Sequence, residues 1–156
     1  MPTEIEHKYL VNTAEWSRVL PEKSTVIKQG YIYSAPDKTL RIRTTGDKGF
    51  ITIKGKTVGA SRPEFEYEIP ITDAQELLTS FCSQLIEKTR HLITYDHKTW
   101  EVDVFEGLNA GLIIAEIELE QEQELYQLPI WVGQDVTFDV KYTNAQLAQN
   151  PYCDWI

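Results

Sequence analysis

Cysteine is almost absent from this chain: Cys82 and Cys153 are the two thiols in 156 residues. They form neither a C-x-x-C pair nor a disulfide framework, which points to unpaired thiols in a reducing, cytoplasmic setting. No run approaches the roughly 18 consecutive apolar residues of a spanning helix, so no membrane partner is expected. The opening Met-Pro-Thr-Glu-Ile-Glu lacks the basic and apolar regions of a secretion signal. P-loop, G-x-S-x-G and H-E-x-x-H motifs are missing, as are repeats and Pro/Gly/Ser-rich linkers. Positive charge is scarce too, with 15 Lys+Arg against 24 Asp+Glu for a net charge of −9. Taken as a sum, that balance argues against nucleic acid as a partner, where a basic footprint is needed.

What is present describes one globular domain spanning residues 1–156. Hydrophobic content of 42% and charged content of 25% exclude a disordered chain. Apolar and polar residues alternate with period two over most of the length, the signature of strands. This predicts strands at 3–11, 24–35, 38–46, 49–57, 62–71, 84–97, 99–107, 112–121 and 135–140. Ala35-Pro36-Asp37-Lys38, Gly46-Asp47-Lys48-Gly49 and Gly107-Leu108-Asn109-Ala110-Gly111 read as the turns between them. Three short helices are expected: one over 16–20 entered at Asn12/Glu15, one entered at Thr72/Gln75, and one entered at Thr143/Gln146. Hairpin-linked strands in this number imply a mainly β (α+β) antiparallel sheet, for which closure into a barrel would leave no long edge bare, although closure itself is not visible in the sequence. Aromatic residues on its outer face are consistent with a homodimer.

The positions of the charges say more than their sum. Glu4, Glu6 and Lys8 recur at i, i+2, as do Arg41 and Arg43; Lys54 and Lys56; Glu64, Glu66 and Glu68; Lys88 and Arg90; Glu101 and Asp103; and Glu116, Glu118 and Glu120. Alternate residues of a strand share a face, so each set projects to one side. The bland reading is the wet side of an amphipathic sheet. Against it, the signs are blocked strand by strand, and neighbouring arginines repel unless an anion or carboxylate lies near. Turned inward, these faces would make a polar tunnel with carboxylates suited to a hard divalent ion and Arg/Lys suited to phosphate. That pairing is what metal-assisted phosphoryl transfer requires.

Glu4-Ile5-Glu6-His7-Lys8 resembles the ExExK signature of the CYTH superfamily, the triphosphate tunnel metalloenzymes. The rest of the series follows in order through Leu40–Arg43, Thr52–Gly55, Arg62–Glu68, Glu87–Arg90, Trp100–Phe105 and Ala115–Glu118. The resemblance implies a closed eight-stranded antiparallel β-barrel forming a tunnel, with a few short peripheral helices. It implies that Glu4, Glu6, Asp103, Glu116 and Glu118 hold Mg²⁺ or Mn²⁺. Lys8, Arg41, Arg43, Lys54, Lys88, Arg90 and Lys141 would cradle the triphosphate, Lys141 from the final strand. Glu64 and Glu66 would support these groups or bind a second ion, and Lys54 and Lys88 would position the water or the leaving group. Lys56, Glu68, Glu101 and Glu120 are expected at the rim or in solvent, His7 on the surface, and His91 and His97 as ordinary strand residues.

The expected activity is hydrolysis of a small-molecule triphosphate, inorganic tripolyphosphate first. Adenylyl cyclase, thiamine triphosphatase and a non-catalytic polyphosphate-binding module are the alternatives. A binding module would be better served by fewer carboxylates, and no dedicated adenine motif is present.

Overall fold

A computed structural model describes residues 2–155. Within them, nine strands form: β1 (Thr3–Val11), β2 (Lys23–Ala35), β3 (Lys38–Thr45), β4 (Lys48–Lys54), β5 (Ser61–Ile69), β6 (Leu85–Tyr95), β7 (Lys98–Phe105), β8 (Ile113–Glu118) and β9 (Val132–Asp135). They hydrogen-bond in the order β5-β4-β3-β2-β6-β7-β8-β1-β9. An antiparallel pairing of Thr3 with Pro63, Glu4 with Arg62 and Ile5 with Ser61 joins β1 to β5 and closes eight strands into a barrel. The ninth strand shares that edge of β1 further along, at Tyr9 and Val11. Closure uses up the edge hydrogen-bonding groups that an open sheet would leave bare.

Turns fix the register of these pairings. Gly46 sits at φ +61° between β3 and β4, a conformation glycine adopts without strain. Asp96 and His97 take successive left-handed values of 50° and 65° between β6 and β7. Two such residues match the twist of a tight hairpin, so His97 belongs to a turn rather than to a strand. His91 does lie in β6, where its Nδ1 is 2.7 Å from Ser24 Oγ.

Helices α1 (Thr13–Trp16), α2 (Ile71–Phe81) and α3 (Asn144–Gln149) decorate the barrel. Asn12 and Thr143 cap α1 and α3 by accepting from the backbone N–H of Glu15 and Gln146, as their sequence signals predict. Two expectations shift. The first helix ends at Trp16 instead of beginning there, and α2 starts after Pro70 with no side-chain cap from Thr72. The final strand also lies earlier than 135–140. Asp135 Oδ1 accepts from both the backbone N–H and the hydroxyl of Thr137, which turns the chain out of the ladder.

Among the described residues, buried apolar side chains form three clusters. Outside the barrel, Trp100, Val102, Ala115 and Ile117 pack under Trp131 and against Trp16 and Tyr126. Also outside, α2 lays Ala74 and Leu78 on Ile42. The third cluster is internal: Ile86, Phe105 and Ile114 share the inward face with the charged residues of their strands and are covered by Leu147 and Ala148 of α3.

Candidate active site

Cross-strand partners point to the same side of a sheet, so the ladders show which residues share the interior. Tyr31 pairs with Arg41, Arg41 with Thr52, Thr52 with Glu66, Lys54 with Glu64, Arg62 with Glu4, Lys8 with Glu116, Glu116 with Glu101, and Arg90 with Asp103. The blocked charges therefore do turn inward. They surround a cavity of about 720 Å³ lined by Glu4, Glu6, Lys8, Arg41, Arg43, Lys54, Glu64, Glu66, Arg90, Glu116 and Glu118, with Asn144 of α3 at its side. Glu101 and Lys56, expected at the rim, also line it, whereas Glu68 and Glu120 do not.

Most of the cations are already engaged. Lys54 Nζ donates to both carboxylate oxygens of Glu4, at 3.0 and 2.8 Å, and lies 3.4 Å from Glu64. Lys8 Nζ is 3.5 Å from Glu6. An Arg41 terminal nitrogen reaches Glu66 at 3.4 Å and donates to Thr52 Oγ1 at 3.1 Å, while that hydroxyl donates to Glu66 at 3.0 Å. Burial works against the charge on Lys8, but the carboxylates of Glu116, Glu6 and Glu4 outweigh it and hold the ammonium above its usual pKa. Arg43 is different. It donates through Nε to Gln29 Oε1 at 2.8 Å and forms no ion pair among the described residues.

Asp103 does not stand ready for a metal. Arg90 grips it with Nε to Oδ1 at 2.8 Å and a terminal nitrogen to Oδ2 at 2.9 Å, and Lys88 Nζ lies 2.7 Å from Oδ2. Both Lys88 and Asp103 have fully buried side chains, and neither lines the cavity. Burial alone would raise the Asp103 carboxyl, but Lys88 and Arg90 reverse this and hold it well below the ordinary carboxylate range. Lys88 also donates to Asn144 Oδ1 at 2.9 Å, and burial pulls its pKa below the usual lysine value. The expected pair thus forms a buried anchor for Arg90, which extends a third hydrogen bond to Glu101 at 3.0 Å.

Lys141 lies elsewhere. Once Asp135 has ended β9, residues 140–142 form a 3-10 turn, and the exposed Lys141 ammonium sits 5.2 and 4.8 Å from the ring centres of Tyr142 and Trp155. That is a cation–π contact outside the tunnel. His7 lies on the outer side of β1, with its Nδ1 2.6 Å from the Tyr126 hydroxyl. Gln29 and Tyr31 were not singled out by the sequence, and Thr52 and Arg62 lie within the matched segments without a role assigned to them, although all four sit at inward-facing parity. In Arg62 the signal was available, because it continues the i, i+2 series of Glu64 and Glu66.

The carboxylate bank fits a divalent cation. Glu6 sits directly opposite Glu118 on β1 and β8, with Glu116 on the diagonal. Like charges so placed repel unless a cation intervenes. Burial and the charge of Glu6 raise the Glu116 carboxyl, and burial and Glu4 raise Glu118. The donor set is all carboxylate oxygen, the preference of Mg²⁺-like ions. Among the described residues no three such groups have yet converged on one point, as Glu4 and Glu6 lean toward Lys54 and Lys8.

An antiparallel barrel enclosing a guanidinium and ammonium bank beside a carboxylate bank defines a tunnel protein for a small polyanion and a divalent metal. The chain belongs to the CYTH domain family, whose sequence profile matches residues 2–146. It is 44% identical over 153 residues to an inorganic triphosphatase of Acetivibrio thermocellus, covering 97% of each chain. An inorganic triphosphatase of Nitrosomonas europaea is 34% identical over 150 residues, covering 94% of this chain and 97% of the relative. A crystal structure of an inorganic triphosphatase superposes with a TM-score of 0.66 at 31% identity, covering 95% of both chains.

Proposed function

We propose that this protein is a metal-dependent phosphoanhydride hydrolase acting on inorganic tripolyphosphate, with Mg²⁺ or Mn²⁺ as cofactor, working as one tunnel domain in the cytoplasm. The observation that carries this reading is the meeting of a cationic and a carboxylate bank inside one closed barrel. Near-full-length similarity to two inorganic triphosphatases supports it, and the unpaired thiols Cys82 and Cys153 accord with a reducing compartment.

The roles of the residues follow from their contacts. Arg41, Arg43, Lys54, Lys8 and Arg90 present donors to the phosphate oxygens, the guanidiniums with the planar fork that suits them. Glu4, Glu6, Glu116 and Glu118 would hold the metal. When bound, it supplies Lewis-acid charge at phosphate oxygens and acidifies a water. Glu64 and Glu66 aim Lys54 and Arg41. The charge that builds on the leaving phosphates is met by cations already fixed in place, so little reorganisation is needed during the reaction. Lys54, which faces the cavity, is the lysine assigned to the leaving group or the water. Lys88 acts from behind, through Asp103 and Arg90. Lys141 has no part in this scheme.

The test is phosphate and pyrophosphate release from tripolyphosphate, ATP and thiamine triphosphate, with and without Mg²⁺ or Mn²⁺. Tripolyphosphate should be cleaved fastest and only with metal. The Glu4→Gln/Glu6→Gln double variant should lose about 10²–10³-fold in kcat, the scale of removing transition-state charge stabilisation. Unchanged turnover in that variant would refute the metal assignment, and cyclic AMP from ATP would refute the hydrolase.

A further inference from the structure

We propose that Gln29 is a positioning residue for the triphosphate: its side-chain carbonyl fixes the Arg43 guanidinium in place without neutralising it. The proposal rests on the triphosphatase reading and specifies how one cation of that site is kept available. Gln29 lies on β2, cross-strand from Arg43 on β3 and Ile86 on β6, and its side chain is fully buried. Its Oε1 accepts from Arg43 Nε at 2.8 Å. That single contact sets the plane of the guanidinium, and the terminal nitrogens of Arg43 make no hydrogen bond among the described residues while the residue lines the cavity.

The choice of an amide here is informative. Lys8, Arg41, Lys54, Lys88 and Arg90 each have a carboxylate partner. A glutamate at position 29 would have the same shape and would pair with Arg43 as a charge, whereas the amide is kept although its Nε2 is buried with no hydrogen-bond partner. An orphaned buried donor and a half-buried cation without a carboxylate both cost stability. The interior therefore holds a neutral acceptor where a carboxylate would neutralise Arg43. Consistent with this, burial and the neighbouring guanidiniums of Arg41 and Arg90 lower the Arg43 pKa to about 9. An arriving phosphate oxygen supplies the missing counter-charge and the missing acceptor for the terminal nitrogens at once.

This makes stability and affinity move in opposite directions, which a merely structural role would not do. The experiment is calorimetric binding of tripolyphosphate in EDTA, together with steady-state KM and kcat in Mg²⁺ and thermal unfolding, for Gln29→Glu and Gln29→Met. Gln29→Glu should weaken binding and raise KM by about tenfold or more, with kcat much less affected and Tm equal to or above that of the parent. Gln29→Met, which keeps the volume but offers Arg43 no acceptor, should also raise KM. Parent-like Kd and KM in Gln29→Glu, or Tm and kcat falling together in both variants, would overturn the assignment. Binding without turnover in the parent would sink the hydrolase while a loss of binding in Gln29→Glu still upheld Gln29. No binding to the parent would overturn both.

Discussion

Arg90 and Arg43 carry the same guanidinium on the same inner wall, yet they answer to different needs. Arg90 holds Asp103, whose side chain is fully buried. Arg43 holds no acid. Truncating each should separate structure from function. Arg90→Ala removes two hydrogen bonds from Asp103 but leaves it paired with Lys88, and should cost about 1.5–3 kcal/mol, the scale of lost hydrogen bonds to a buried charge. Arg43→Ala removes a half-buried charge with no carboxylate partner and should leave stability near the parent while tripolyphosphate binding falls. Urea unfolding checks the first, calorimetry the second. The inward direction of both arginines was legible in the i, i+2 spacing. Their different duties were not, because engagement depends on register: Asp103 is taken since β6 and β7 align it with Arg90. Spacing within a strand carries no information about the strand beside it, which is why Asp103 and Lys88 read as open tunnel groups and Gln29 did not read as part of the site.

Among the elements, strands were the most legible and irregular segments the least. Period two fixed β1 through β8 to within a few residues, since an inward charge and an outward apolar residue cannot exchange without losing the core. Segments 119–131 and 136–142 follow side-chain contacts instead of a period, and Lys141 was misplaced with them. The seating of α2 shows another limit. Gly49 on β4 gives α2 its close approach, because a Cβ there would stand 2.6 Å from Ala74 Cβ. Gly49→Ala should lift the helix from the barrel and cost about 1–3 kcal/mol, as overpacking does, read as a lowered urea midpoint. Nothing in a helical pattern announces which strand glycine it will rest on. Closure, too, is not written in any one segment, because the β1–β5 pairing joins segments far apart in sequence.

At the scale of the whole molecule, net charge conceals a division of signs that pH should reveal. Burial raises the carboxyls of Glu101, Glu116 and Glu118, helped at Glu116 and Glu118 by neighbouring carboxylates. A raised carboxyl binds its proton more tightly folded than unfolded, so stability falls as pH climbs from about 4.3 through the raised values. Asp103 has the opposite sign: its contribution is complete above about 3.9 and is lost as pH falls further. Metal-free protein should therefore unfold at its highest temperature in mildly acid solution. Mg²⁺ should raise the Tm near neutrality by offsetting the crowded charge, as thermal scans from about pH 4 to pH 8 in EDTA and in Mg²⁺ would record. The pairs Lys54–Glu4 and Lys8–Glu6 carry a last consequence. They make the barrel resemble a loaded ion exchanger, with each resident acid serving as the counter-ion of a resident base. In the proposed scheme, a phosphate that took Lys54 and Lys8 would release Glu4 and Glu6 for a cation, and a cation held by the two acids would release the lysines for phosphate. Anion and metal should then strengthen each other's binding by a common factor, as linkage requires.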